Sequence, residues 1–486
     1  MASIVSTQHP DYNKMADQWK TCRDVVAGSK AIKEAGVRYL PRLKDQDDES
    51  YQAYKQRASW MGATWATIRG FKGMLLRRTP EIEASESVLA LLDDVTMSGK
   101  SIYDLIDMIT DEMLTTKRAG ILVDYPQTNT EGMTRAQAEA LNLRPSLAFY
   151  QAENIINWQQ ERINNAYVLS MVVLTEDAPI AGNEFEHNCE THYRVLDLAP
   201  GADGVRVYRQ RVFRINDKKE DEQVGDDIYP LMNGKPLTEI PFIVDPEVDE
   251  PPLIDLIDLN LDHYRLSADL KHGLHFGGLP TAVISGYAPE NKGDKLYIGS
   301  ASAWVFPDPQ ASASYLEFTG QGLTPISAEM TKVEERMAVV GARLLATEKK
   351  DSETAQTANI HRAGESSVLS NIGQTIGIML SKALTIFSKW AGVDQEVEVE
   401  MNDEFMPPEV TPQELTGWLQ SWQAGAPGFS DQGFFDLLKQ RELVAPDVTL
   451  EDEQERIASK PIPKPDIPAP IVVTAPVKDM TMQEGE

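Results

Sequence analysis

The chain has 486 residues, 42% apolar and 25% charged, with a formal net charge of −29. That length is too great for one compact core and predicts two or three packing units of ordinary globular composition. So acidic a chain is excluded from gripping nucleic acid over most of its surface, because that affinity comes from cations displacing counterions from phosphates.

The opening MASIVSTQHPDYNK lacks the basic start and apolar run of a secretory signal. No run approaches 18 apolar residues, so no transmembrane helix is expected. Two cysteines, Cys22 and Cys189, suit a reducing compartment and not a disulfide framework. The expected place of assembly is cytoplasm. Residues 1–80 hold 14 Lys/Arg against 8 Asp/Glu, while 394–486 hold 6 against 20, so the charge is unevenly spread.

Helices are predicted over 11–37 and 51–78, separated by the polar run 44–50. In the second, Tyr54, Ala58, Met61, Trp65, Ile68 and Met74 recur at helical spacing, with Ser50 as N-cap. A third helix fits 101–117, starting near Ser101, and GILVD (120–124) reads as a short buried strand. From 145 to 245 the period changes to two. SLAFYQ, YVLSMVVLT, HYRVLDL, GVRVYRQRVFRI and IPFIVD read as antiparallel strands, with Gly201, Gly204, Gly225 and Gly234 in turns. Pro251-Pro252 then resets the chain into a helix over 253–275, ended by Gly277, Gly278 and Pro280. A β-and-turn block follows over 281–320 (TAVISGY, KLYIG, SAWVFP, SYLEFTG). Beyond it come a helix over 326–345 with Met330, Val333, Met337, Val340 and Leu344 on one stripe, a polar link at 347–353, and a long helix over 354–391. Residues 411–457 suggest two or three short acidic helices, and the proline-rich end reads as an extended or disordered tail.

The helix over 253–275 carries the first functional clue. At 100° per residue Asp255, Asp258, Asp262 and Asp269 fall within an arc of about 60°. Leu256, Ile257, Leu261, Tyr264 and Ala268 lie on the other side. Two readings stay open. The helix is amphipathic and its acidic face simply meets solvent, or many copies stand around a channel, burying their apolar sides against neighbours and lining the bore with carboxylates. An acidic bore repels phosphates, which suits translocation and not recognition.

Several stretches resemble the portal proteins (head-to-tail connectors) of tailed bacteriophages: RAGILVDYP (118–126), FYQAENIINW (149–158), IPFIVD (240–245), the run from PPLIDLIDLNLDHYRLSADL to GGLPTAVISG (251–286), EERMAVVGARLL (334–345) and SETAQTA (352–358). The likeness covers about residues 40–400. It implies an α+β, ring-forming portal-type fold with a helical and β-rich wing (1–250), a first stem helix (251–275), a small α/β clip (276–325) and a second stem helix (326–346). A tunnel loop (347–356), a long wing helix with its following strand (357–400), a helical crown (401–457) and a tail (458–486) complete it. It further implies a dodecameric ring at a capsid vertex of the virion, through which viral double-stranded DNA passes during packaging and ejection without sequence recognition. The implied partners are the terminase large subunit, a head-tail adaptor, and major capsid and scaffolding proteins. Asp255, Asp258, Asp262 and Asp269 would line the channel. Glu348, Lys349, Lys350, Asp351 and Glu353 would form the tunnel loop, where the lysines either touch passing phosphates or pair with their own neighbours.

Enzyme readings rank lower. LMNGKPLT lacks the earlier glycine of a phosphate-binding loop and has Pro236 where Ser or Thr should hold magnesium. No HExxH, GxSxG or GxGxxG occurs. His187, Cys189 and His192 lie close together but lack the second pair a structural zinc site needs. His263, His272 and His275 spread around their helix. Trp60, Trp65 and Trp158 are expected in the core or at subunit contacts, because no basic stripe accompanies them. No catalytic residue, metal or cofactor is expected. The alternatives are a metal-dependent hydrolase on the β-rich half and a scaffolding adaptor that forms no ring.

Overall fold

The computed structural model describes residues 4–126, 141–277, 281–286, 308–316, 321–342 and 355–459, apart from 164, 181, 183–184, 202–203, 246, 404, 406–409, 442 and 446–447, with side chains left out at 281–282, 316, 341–342 and 355–367. The chain divides into two units, Met1–Phe405 and Met406–Glu486.

In the first unit the predicted helix over 11–37 is two helices, α1 (Pro10–Ala27) and α2 (Ser29–Ala35). Gly28 breaks them at φ 87°, a conformation that favours glycine. The helix predicted over 51–78 is likewise two, α3 (Asp48–Arg57) and α4 (Ala63–Leu75). Asp47, not Ser50, caps α3 by accepting from the Ser50 N–H at 2.7 Å. The break at 58–62 resets the helical phase, so Met61 and Trp65 point outward while Thr64, Thr67, Ile68, Phe71 and Leu75 are buried.

Strand β1 (Glu81–Glu83) and the short helix α5 (Glu86–Leu89) lead to α6 (Ile102–Thr115). Ser101 and Asp104 close a reciprocal capping box at its start. Next come β2 (Ala119–Asp124) and β3 (Ser146–Gln151). Strand β4 (Ile155–Ile163), which alternation alone left unread, pairs with β5 (Ala166–Pro179) through two register shifts. The register shifts explain why no clean period of two is visible in IINWQQERI. β6 (Cys189–Pro200), β7 (Arg206–Ile215) and β8 (Asp221–Gln223) complete a five-stranded antiparallel sheet in the order β4-β5-β6-β7-β8. Two-residue strands β9 (Leu231–Met232) and β10 (Lys235–Pro236) precede β11 (Phe242–Val244), and β11 joins a second sheet, β11-β2-β3. At Gly120 in that sheet a Cβ would overlap the Phe242 ring, so the two strands approach only because the side chain is missing.

The long helix α7 runs over Ile254–Gly277. β12 (Thr281–Ser285) pairs with β13 (Ser312–Leu316). KLYIG and SAWVFP lie outside the described residues. Helix α8 covers Leu323–Met337 and widens into a π turn over Ala338–Ala342, so the stripe expected from Met330 to Leu344 holds for the buried Val333 and Met337 and fails at the exposed Val340. Helix α9 (Ala355–Trp390) ends against β14 (Glu398–Glu400), which pairs with β1. The second unit contains α10 (Pro412–Gln423), α11 (Asp431–Gln440) and α12 (Leu450–Ser459). Trp422 stacks on Phe434 and donates to Asp431 there.

A largest core packs α4, α6, α9, β2 and the ends of α7 and α8 together. A second lies under the five-stranded sheet, and a third joins α1–α3 to α7. Two polar nodes tie these together. Arg118 is buried with its guanidinium 4.2 Å from the Trp158 ring centre, and His9 stacks on the same indole. Burial pushes Arg118 down to about 10. At the other node Glu112 Oε1 accepts from Arg23, Thr116 and the Ala152 N–H at 2.6, 2.7 and 3.1 Å. Burial alone would lower the Arg23 pKa, but Glu153 and Glu112 hold it above its usual range. Replacing Glu112 with Ala leaves Arg23 its pair with Glu153 but removes the acceptor of Thr116 and of the buried Ala152 N–H, and urea unfolding should register a loss of about 2 kcal/mol.

Candidate functional site

Asp255, Asp258, Asp262 and Asp269 are all exposed along one side of α7. The row runs from Asp255 to Asp269, about 21 Å of helix. Asp255, Asp258 and Asp262 have no hydrogen-bond or ion-pair partner among the described residues. Their axial spacing, roughly 4.5 and 6 Å, is below the Debye length of about 8 Å at physiological salt, so their fields merge into one negative strip. Two features modify it. Arg265 falls at the edge of the same arc, where its Nε donates to the Tyr39 carbonyl at 3.0 Å. Asp269 accepts from the Tyr54 hydroxyl at 2.5 Å. The strip is therefore strongest over 255–262 and is relieved by a cation beyond it. Arg265 is visible in the sequence at the same helical spacing, as a cation among the carboxylates.

The opposite side of α7 corrects an expectation. Ile257, Leu261, Tyr264 and Ala268 are buried against α1–α3 of the same chain, and Leu256 enters the largest core. They are not left to be covered by neighbouring copies. Asn260 accepts from the Thr64 N–H at 3.2 Å and donates to the Met61 carbonyl at 2.7 Å. Ser267 accepts from the Ser59 N–H and donates to the Ser59 carbonyl. Helix α8 lies along α7, fixed by a bond from buried His263 Nε2 to Glu334 at 2.9 Å and by Leu323 against Gly273.

Glu348, Lys349, Lys350, Asp351 and Glu353 lie outside the described residues. His187 and Cys189 are exposed, and His192 bonds Glu190 at 3.0 Å. His263, His272 and His275 do not converge: His272 packs between Tyr54 and Phe276, and His275 meets only the Phe276 edge among the described rings. Among the described residues no group of three His, Cys, Asp or Glu is disposed to hold a metal ion. No helix among them is long and apolar enough to cross a membrane. Trp158 is buried and Trp60 packs edge-on to Tyr264, while Trp65 stands 47% exposed. The arginine-rich strand β7 offers no free cationic stripe: Arg206 pairs with Glu161, Arg209 and Arg211 with Asp197, and Arg214 with Glu222.

A family model described as a domain of unknown function (DUF4055) matches residues 252–391, the stretch from α7 to the end of α9. No curated protein matches the chain. Among solved structures, the neck of an empty gene transfer agent (GTA) particle computed with C6 symmetry is similar at TM-score 0.38 and 13% identity, over 82% of this chain and 95% of that one. The virion of a native gene transfer agent particle gives TM-score 0.38 and 13% identity over 84% and 98%. The neck of the native particle computed with C12 symmetry gives 0.37 and 12% over 84% and 98%.

The seat of α7 titrates. Tyr264 is buried with its hydroxyl unpartnered among the described residues, and burial, followed by Tyr51, pushes it from 10.0 up to about 12. Burial, then the bond to Asp269, raises Tyr54 as well. The folded chain thus holds these phenolic protons more tightly than the unfolded chain does. The stabilising contribution of Tyr264 is complete below pH 10 and is lost as pH rises through about 12, and that of Tyr54 falls in the same direction. Denaturation midpoints should fall over that window, and Tyr54→Phe should lessen the fall; a midpoint flat to pH 12 would contradict the assignment.

Proposed function

We propose that this chain is a bacteriophage portal subunit: a dodecameric ring in the virion whose channel passes double-stranded DNA, with no chemistry of its own. The observation that carries the reading is the exposed row Asp255, Asp258 and Asp262, without partners among the described residues, on a helix whose other side is covered by its own chain from Leu256 to Ala268. An amphipathic helix needs only a polar outer face, for which lysine and glutamate mixed would serve. Here the strongest stretch carries aspartate alone. Duplex DNA has a charge every 1.7 Å or so, and a carboxylate-lined wall denies it the counterion release on which sticking depends.

The resemblance over 40–400 supports the same reading, in which α7 and α8 are the stem, the paired strands β12 and β13 belong to the clip, and α9 belongs to the wing. In this reading the clip receives the terminase motor and later the head-tail adaptor, and the second unit includes the crown. The pairing of β7 arginines with carboxylates supports a wing that does not bind DNA.

Native mass spectrometry with negative-stain images should show closed rings of about a dozen copies. A monomer or dimer at every concentration and salt would contradict the proposal. Replacing Asp255, Asp258 and Asp262 together with lysine should leave ring mass unchanged and reduce packaged DNA at least about tenfold, since three new cations per copy add phosphate contacts throughout the bore. Normal packaging by that variant would sink the acidic-channel argument.

A further inference from the structure

A groove of about 1210 Å³ runs between β11, α9 and β14. Its lining mixes apolar and small residues, Ile243, Val244, Gly373 and Gly377 among them, with polar ones such as Ser381 and Thr385, and Ile378 in it stands 57% exposed. Six exposed carboxylates, Glu83, Glu239, Glu396, Glu398, Glu400 and Asp403, stand against a single cation, Lys382, among the described lining residues. None of these six carboxylates has a hydrogen-bond or ion-pair partner among the described residues.

The β1–β14 ribbon sharpens the imbalance. Its register sets Glu81 opposite Glu400 and Glu83 opposite Glu398, all exposed. Like charges directly opposite across antiparallel strands are destabilising. A ribbon with two such pairs beside the groove breaks a local rule that a cation brought from outside would satisfy.

The complementary surface lies on the same unit. Met61, Trp65 and Arg69 follow one another at a spacing of four along the outer side of α4 and the residues before it. Met61 and Trp65 are 41% and 47% exposed, and the Arg69 guanidinium lies 4.7 Å from the Trp65 ring centre. Arg69 has no carboxylate partner among the described residues. Gly62, Ala66 and Gly73 beside them are exposed and small, so a facing wall can approach closely. Tryptophan and arginine are the residue types that most often dominate binding energy at protein interfaces.

We propose that the Met61–Trp65–Arg69 ridge of one copy seats in the β11–α9–β14 groove of the next, with Trp65 against its apolar residues and Arg69 among its carboxylates. The two surfaces differ, so the contact is head-to-tail, and repeated head-to-tail contacts close into a ring when the rotation allows. The inference rests on the ring reading above and names the surfaces that would join its copies.

Two full-length variants test it, each keeping one surface. Trp65→Ser with Arg69→Glu keeps the groove; Glu83→Lys with Glu398→Lys and Glu400→Lys keeps the ridge. Native mass spectrometry at one protein concentration, with circular dichroism to verify folding, should show each variant alone as a monomer, its ring signal down at least about tenfold. An equal mixture should give a 1:1 heterodimer that grows no further, because the pair shares one competent contact. If either variant assembles to wild-type size, or two folded variants give no heterodimer, the inference fails and the ring reading stands. A monomeric wild-type chain removes the ring reading, and this inference with it. Should the triple variant not fold, Arg69→Glu combined with Glu398→Arg in one chain replaces it: restored assembly supports the contact, and none overturns it.

Discussion

One-sided burial of α7 is the constraint on which the other features depend. Ile257, Leu261, Tyr264 and Ala268 reach into the layer formed by α1–α3, and Leu256 reaches into the main core. Full burial of a leucine or isoleucine contributes about 1.5–3 kcal/mol, so a few such residues hold the helix without help from its outer face. That face is then free to carry carboxylates that stabilise nothing locally. If the acidic side were also needed for packing, burial would raise the pKa of its aspartates or demand cation partners, and the negative strip would vanish.

The net charge of −29 is not spread as a uniform solvated coat. In the five-stranded sheet charges are matched pair by pair: Arg194 with Glu176, Arg209 with Asp197 and Asp227, Arg214 with Glu222. Such partly exposed pairs are each worth under about 1 kcal/mol, but they cancel the field above the sheet. Carboxylates without a partner among the described residues also stand elsewhere, Asp93, Asp177 and Asp217 among them, but on α7 and beside β14 several follow one another along one element. That ordering is more than solubility alone requires.

The strongly periodic elements were legible from the sequence. Ile102, Leu105, Ile106, Ile109 and Met113 marked α6, and Pro251-Pro252 with Gly277 bounded α7 nearly to the residue. The acidic row was legible because four aspartates at helical spacing need no tertiary information to align. What failed had physical causes. Gly28 splits a continuous apolar pattern through a backbone angle that hydropathy does not report. The break at 58–62 turns Met61 and Trp65 outward although their spacing fits an amphipathic helix. Strand β4 was hidden by its register shifts. The covering of α7 by α1–α3, and the meeting of β1 with β14 more than 300 residues later, are long-range facts that periodicity does not encode.

The acidic face of α7 and the proposed ridge are mechanically joined. Asn260 on α7 holds the Met61 carbonyl and the Thr64 amide at the start of α4, and Ser267 holds both backbone groups of Ser59 just before it. Buried polar bonds of this kind fix register more than they add stability, because slipping them leaves donors and acceptors unpaired in the core. A slip of one residue along α7 would turn the aspartate row by about 100°. In a ring joined through the ridge, seating Met61 and Trp65 on a neighbour would therefore also set the direction in which Asp255, Asp258 and Asp262 face. Assembly and the polarity of the bore would then be fixed by the same few hydrogen bonds, and no separate device would be needed to orient the acidic wall.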